Sequence, residues 1–392
     1  MVKERSVLIC TVGTSLFESN LRKIDDSLIL KDKKYEKIKF AFQGKRWDEL
    51  ASLLLTIDPK DRFCGAEINT IEEYLSKKRI SIKRIFFLVS DTEDGVNTGK
   101  VLKSYFTKRK ELKLKDDDVD YRKIEDLQDK DPKKFKINGL RNLVREIGDI
   151  ISKFGKENIA IDATGGYKAQ IAMAVIIGQA LDIPVYYKHE RFFEIIDFAP
   201  LPITLDYDLL GKYSSIFIEA ENNMQIKYKK FYESSTIEGI EDYEKIKLFF
   251  EEVDIDGEKW LSLNAIGQLY ITSFNLRYKK PLDLPDAKKE EREEPTFRDD
   301  HYPDNFIEFV KKIWRENKYI KTCKSLPYDK QRSMKGIEFY VYDNGKEKYL
   351  VGTYEDRNNF KARFRIFLSK DTIENMNWAA FSLTNKYRDK NK

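Results

Sequence analysis

Thr164, Gly165, Gly166 and Lys168 fall within five residues of one another, directly after an apolar run that ends at Asp162. Glycine tolerates positive φ and a close approach by a ligand, so this segment can turn sharply around a bound group. Free amides at a helix start, the positive end of the helix dipole and a lysine side chain all favour a phosphate. A plain strand-to-helix turn is the competing reading of the same residues. Two further polar turns carry related chemistry, Gly13-Thr14-Ser15 and Ser90-Asp91-Thr92, the latter running on through Glu93 and Asp94 to Gly95. Other chemistries lack material. The chain has two histidines, His189 and His301, and its three cysteines, Cys10, Cys64 and Cys323, are too scattered for a disulfide framework or a zinc site.

These turns need elements to hold them. Residues 6–12 (SVLICTV) and 84–89 (RIFFLV) read as buried strands, as does the stretch around Ile159 and Ile161. Each is followed by one of the three turns. Helices are expected over 98–110 and 140–154, the second with Leu143, Ile147 and Ile151 on one face, and from Tyr167 onward. Weaker strands are expected at 37–42 and 119–124, and an edge hairpin at 185–188 and 193–198. Such alternation implies a mostly parallel sheet covered by helices on both faces. Ligands bind at the carboxyl ends of its strands, so the three turns are expected to converge on one rim.

Ala199-Pro200-Leu201-Pro202 closes this first domain, placed at 1–206. Residues 207–290 change character. A helix is expected over 243–253 and another over 264–273, which suits a small winged-helix-like connector, although 264–273 has no Lys or Arg to read DNA. The charged stretch DAKKEEREE, 286–294, reads as an exposed linker. A third domain, 295–392, opens with an amphipathic helix at 306–317. Strands are expected at 336–342, 349–354, 363–368 and 377–383, with a hairpin turn at Asp343-Asn344-Gly345, giving a small α+β fold.

The chain of 392 residues is 41% hydrophobic and 35% charged, which is a globular composition with room for several cores. No apolar run approaches the ~20 residues of a membrane helix. The amino terminus enters a strand without a signal-peptide layout, so a cytoplasmic location is expected. The formal charge of +5 is unevenly spread: residues 296–392 hold 21 Lys+Arg against 14 Asp+Glu, and the rest is close to neutral. A polyanionic partner for the last quarter follows.

TVGTSL at 11–16, GAEINTI at 65–71, SDTEDG at 90–95, DATGGYKA at 162–169 and YYKHERFFEIIDFAPLPI at 186–203 together resemble a CARF domain, the Rossmann-like sensor of type III CRISPR antiviral systems. The resemblance implies a homodimer that binds a cyclic oligoadenylate across its two-fold axis, cyclic tetra-adenylate ahead of the hexa-adenylate ring. It assigns ligand contact to Gly13, Thr14, Ser15, Ser90, Asp91, Thr92, Thr164, Gly165, Gly166 and Lys168, with His189 and Arg191 as neighbours. Whether the sensor also degrades its activator stays open.

Such sensors usually drive an effector. A HEPN ribonuclease needs an arginine, four to six intervening residues and then a histidine, and positions 182–184 before His189 and 294–296 before His301 hold no arginine. A PD-(D/E)xK nuclease would draw its Mg²⁺ ligands from Asp343 and Glu355-x-Arg357. A ligand-controlled transcription factor using the middle module is the non-enzymatic alternative. The segment 358–389 is similar to the last strands and basic end of RelE-type mRNA interferases. These cut mRNA on the ribosome without metal, the 2′-hydroxyl attacking its own phosphate. That resemblance places Arg363 or Arg365 on the catalytic strand, Lys386, Tyr387 and Arg388 in the C-terminal group, and Lys361 and Lys348 as bases or phosphate contacts.

Overall fold

The computed structural model describes residues 5–76, 81–189, 194–202, 205–228, 231, 240–278, 283–327 and 336–388. The chain divides into two compact units, Met1–Thr204 and Leu205–Lys392.

The first unit is built on a six-stranded sheet of order β3-β2-β1-β4-β5-β6. Its strands are β1 (Val7–Thr11), β2 (Arg84–Val89), β3 (Val119–Lys123), β4 (Ile159–Asp162), β5 (Val185–Tyr187) and β6 (Ile196–Phe198). The first five pair in parallel and β6 returns antiparallel at the edge. This is the expected mostly parallel α/β sheet. β1, β2 and β4 are apolar and buried almost throughout, as strands covered on both faces must be. The order reverses at β1, whose neighbours are β2 and β4, so the crevice beyond β1 and β4 is the topological switch point of the sheet.

Residues 37–42, expected as a weak strand, lie inside the helix Lys34–Gln43. The local alternation KIKFAF suggests a period of two, but the buried residues are Tyr35, Ile38 and Ala41, three apart. The longer window carries the helical period.

The second unit holds two antiparallel sheets. One is three-stranded, of order β7-β9-β8, with β7 (Gln225–Lys227), β8 (Phe250–Ile255) and β9 (Glu258–Leu263). The other is four-stranded, of order β10-β13-β12-β11, with β10 (Ile320–Leu326), β11 (Phe339–Asp343), β12 (Lys348–Glu355) and β13 (Lys361–Leu368). The helix expected over 243–253 stops at Lys247, and β8 takes over from Phe250.

The apolar run at 377–383 is not a strand. It forms the middle of the helix Ile373–Tyr387, whose N-cap Thr372 accepts from the Asn375 amide. A short run buried on every side has no period to distinguish helix from strand. The missing fourth strand is β10, whose alternation is blurred by a register shift between Ile320 and Thr322.

The expected boundary between 290 and 295 does not separate two cores. One cluster runs from Tyr207 and Phe217 through Phe274 to Phe306, Phe364 and Phe381. Phe274 packs edge-on against Phe381, and the Trp378 indole donates to the Tyr278 carbonyl at 2.8 Å.

Candidate functional site

At the switch point the two glycine turns are pressed together. A Cβ added to Gly13 would lie 2.9 Å from the Gly166 nitrogen, and one added to Gly165 would collide with Glu67. Gly166 has φ +103°, which side-chain-bearing residues rarely adopt. Thr11 Oγ1 donates to the Gly165 carbonyl at 2.6 Å, and Glu67 Oε1 accepts the Gly13 amide at 2.8 Å. Gln170, fully buried, accepts from the Tyr167 amide and donates to the Leu88 carbonyl, so the start of the helix Lys168–Leu181 is tied to β2.

What remains unsatisfied defines the chemistry. The backbone amides of Thr14, Ser15, Gly165, Gly166, Lys168 and Ala169 carry no hydrogen bond among the described residues. Lys168 is exposed and has no ion-pair partner among them. Such a group of amides at a helix start, with an uncommitted cation, suits an anion.

The floor beneath is acidic but buried. Glu67 and Asp162 are each 1% exposed. Burial pushes the Asp162 carboxyl up to about 7, against the hydrogen bonds it accepts from Thr164 Oγ1 and N at 2.5 and 3.1 Å; nearby Glu67 adds to the rise. Burial also raises the Glu67 carboxyl, and its Oε2 has no hydrogen-bond partner. The same burial, with both carboxylates close by, raises the Cys10 thiol well above its ordinary value. Burial disfavours the charged form of both carboxyls, which lessens their repulsion of a polyanion above them.

Glu67, Asp162, Gln170 and Thr11 are not among the ligand contacts that the sequence motifs imply. Glu67 had a signal: it shares one helical stripe with the buried Ile71 and Tyr74, where a carboxylate is out of place.

Ser90, Asp91 and Thr92 follow β2 on the same rim, but their side chains are engaged. Ser90 is buried with its hydroxyl 2.9 Å from that of Thr92. Thr92 caps the helix Glu93–Lys108 through the Gly95 amide, and Asp91 pairs with Lys123 at 2.9 Å and accepts the Asp126 amide. A cleft of 560 Å³ opens beside Asp91 and Thr92, lined also by Lys45, Trp47, Lys100 and Lys130. It does not reach residues 13–15 or 164–168. His189 is half-buried, and Arg191 lies outside the described residues.

In the second unit the six candidate catalytic residues separate into two places. Lys361, Arg363 and Arg365 alternate with the core-facing Ala362, Phe364 and Ile366 along β13, so they share the face turned away from the helices. Arg363 is 8% exposed and its Nε donates to the Pro327 carbonyl at 2.7 Å. Lys361 lies 3.6 Å from Glu355. Lys386, Tyr387 and Arg388 lie at the end of the helix that packs on the opposite face, where Tyr387 meets the rings of Phe309 and Phe339. Tyr387 donates to Glu316 at 2.7 Å, Lys386 pairs with Glu316 at 3.2 Å, and Arg388 holds the Ser215 carbonyl and Glu219. No single site gathers all six.

The metal-ligand pair expected for a PD-(D/E)xK site is also divided. Asp343 pairs with Lys348 at one end of β12, and Glu355 lies at the other, about 23 Å away along an extended strand. Asp343 accepts the Gly345 amide and Glu355 the Gly336 amide, both in turn-holding roles. Lys348 is tied to Asp343 and Asp208. Among the described residues no helix is long and apolar enough to cross a membrane.

The first unit is therefore a doubly wound α/β domain with two glycine turns meeting at its switch point. Residues 62–202 match the family model described as CRISPR-associated protein (Cas_APE2256). Among solved structures, the chain is similar to Can2 from Sulfobacillus thermosulfidooxidans in complex with cyclic tetra-adenylate. That match has 8% identity, covers 72% of this chain and 68% of that one, and has a TM-score of 0.25, too low to carry an argument about fold or activity. No curated protein matches.

Proposed function

We propose that the chain is a cyclic-oligoadenylate-controlled endoribonuclease of a CRISPR antiviral system, in which residues 1–204 sense the ligand and the second unit cuts RNA. One observation carries the reading: six backbone amides without a hydrogen bond among the described residues, and the uncommitted Lys168, belong to the two turns at the β1–β4 switch point, the second of which lies within the stretch 62–202 that matches a CRISPR-associated family. A ring of phosphates presents several negative charges to such a surface. Cyclic tetra-adenylate is the proposed ring.

A two-fold arrangement of sensors is part of the proposal. Ile176 on the helix Lys168–Leu181 and Ile196 and Phe198 on edge strand β6 are exposed at 37–43%, and a second copy would cover them. Ligand binding would act on the effector by favouring one arrangement of the pair over another, which requires tighter binding to that arrangement.

For the effector, the RelE-like reading rests on β13, where Lys361, Arg363 and Arg365 share one face. There an arginine would stabilise the charge on phosphorus as the 2′-hydroxyl attacks, and Lys361 would assist proton transfer. The helix–strand–helix–strand–strand order with β7-β9-β8 pairing supports a winged-helix-like connector. Its helix Ile240–Lys247 carries Glu241, Asp242 and Glu244, and the β8–β9 hairpin carries Glu251, Glu252, Asp254, Asp256 and Glu258. Those charges oppose duplex DNA, so the transcription-factor reading is disfavoured.

The test places ribosome-bound mRNA, naked RNA and duplex DNA side by side, with and without cyclic tetra- or hexa-adenylate. Cutting of translated mRNA that depends on the cyclic nucleotide and survives chelation on intact ribosomes is expected. Ligand-dependent cutting of duplex DNA would overturn the interferase reading.

A further inference from the structure

On the face of the four-stranded sheet that carries Arg363 and Arg365, cross-strand pairing gathers side chains of a particular kind. Tyr342 on β11 opposes Tyr349 on β12. The pairing of Leu350 with Ile366 sets Tyr349 beside Phe367 on β13, and Phe367 opposes Thr322 on β10. The neighbouring row holds Arg365 opposite Lys324. The rings of Tyr342 and Tyr349 are 4.9 Å apart. The Arg365 guanidinium lies 4.4 Å from the Tyr349 ring centre and 4.8 Å from that of Phe367, while the Lys324 ammonium is 5.5 Å from Phe367.

This row is half-buried, unlike a core row, and Lys324 is exposed. Arg365 is held by its rings more than by acids: Glu347 is 3.7 Å away and 56% exposed, and the buried Arg365 Nε has no hydrogen-bond partner among the described residues. An arginine whose guanidinium lies over two rings can offer a stacking plane and its terminal N–H donors together.

We propose that this aromatic and cationic row binds single-stranded RNA, its bases stacking on Tyr342, Tyr349, Phe367 and the Arg365 plane while Arg365 and Lys324 meet the phosphates. Stacking of this type tolerates any base and is closed to a duplex, whose bases are already stacked on one another. The surplus of positive charge in residues 296–392 complements a polyanion. Arg363 and Lys361 lie on the same face of β13, two and four residues from Arg365, but Val351, Thr353 and Arg363 are buried there, so the accessible part of the face ends at Arg365. The choice of RNA rests on the ribonuclease reading; the surface itself does not.

The experiment is fluorescence anisotropy on the full chain with a labelled oligouridylate of about twelve nucleotides, a length within the span of known single-strand sites. Tyr349→Ala and Phe367→Ala are each expected to weaken binding roughly tenfold, from the loss of one stacking contact, and Tyr349→Phe to bind as the parent does. An RNA duplex of the same length should compete poorly. Alanine variants that melt as the parent does and bind oligouridylate equally well would overturn the proposal, as would a preference for oligothymidylate or for a basic or acidic peptide. If the alanine variants fail to fold, photocrosslinking of bromouridine RNA to the parent chain decides: crosslinks at Tyr342, Tyr349 or Phe367 support the surface, and crosslinks only elsewhere refute it. Binding without any cutting would refute the ribonuclease reading alone. Cutting with unchanged affinity in both alanine variants would refute the surface alone.

Discussion

Asp162 and Lys168 are six residues apart, yet burial gives them opposite roles. Asp162 sits under the crevice with its carboxyl raised to about 7 by burial. Between about pH 4, where an unfolded aspartate ionises, and pH 7 the folded chain holds a proton that the unfolded chain has lost. Stability of the first unit is therefore expected to fall as pH rises through this window. Asp162→Asn, which can still accept from Thr164, should flatten the fall; urea titrations at several pH values measure it, and an unchanged slope would exclude Asp162 as its source. Lys168, exposed and unpaired among the described residues, has no structural duty. Lys168→Ala should weaken cyclic tetra-adenylate by roughly ten- to a hundredfold, the range for a lost charged hydrogen bond, and leave the melting temperature unchanged. Calorimetry with equal affinities for variant and parent would remove the anion-site argument. Gly13→Ala brings a Cβ to 2.9 Å from the Gly166 nitrogen, so it should cost about 1–3 kcal/mol of stability and impair ligand binding as well.

Among the elements, the basic end of the Ile373–Tyr387 helix shows how position overrides residue type. Lys386, Tyr387 and Arg388 look in sequence like a catalytic cluster. In the fold they meet Glu316, Glu219 and the Ser215 carbonyl. Arg388→Ala should therefore lower the stability of the second unit by about 1–3 kcal/mol, the cost of leaving a charged partner unsatisfied, with turnover per folded molecule unchanged. A large loss of turnover at unaltered stability would return Arg388 to the catalytic group. The β13 residues behave differently, because strand alternation was readable from the sequence itself: Ala362, Phe364 and Ile366 face the core, and Lys361, Arg363 and Arg365 the other side. Asp343 and Glu355 illustrate the limit of that reading. Each lies at a strand end, but only the antiparallel register shows that the ends are opposite ones.

For the whole molecule, two compact units replace the three segments that composition suggested. The charged linker at 286–294 marks a change in surface and not a break in the core. The Ala287 amide donates to the Lys318 carbonyl and the Glu293 amide to that of Lys321, which ties the segment to the strand region it precedes. Residues 205–392 should unfold in one cooperative transition, whereas 295–392 alone should lack stable tertiary structure, because Trp378 and Phe381 lose Phe274 and Tyr278. Denaturation of the two fragments, followed by tryptophan fluorescence, tests this, and a cooperative transition in 295–392 would restore a third domain. The sequence by itself determined the parallel sheet, its three polar turns and the glycine positions, because strand burial and positive φ are local demands that leave local marks. Only the tertiary structure decided which turns touch, which carboxylates lie beneath them and which cations are already paired. Those properties depend on strand order and register, and residues such as Glu67 and Gly165, nearly a hundred positions apart, meet only when the chain is folded.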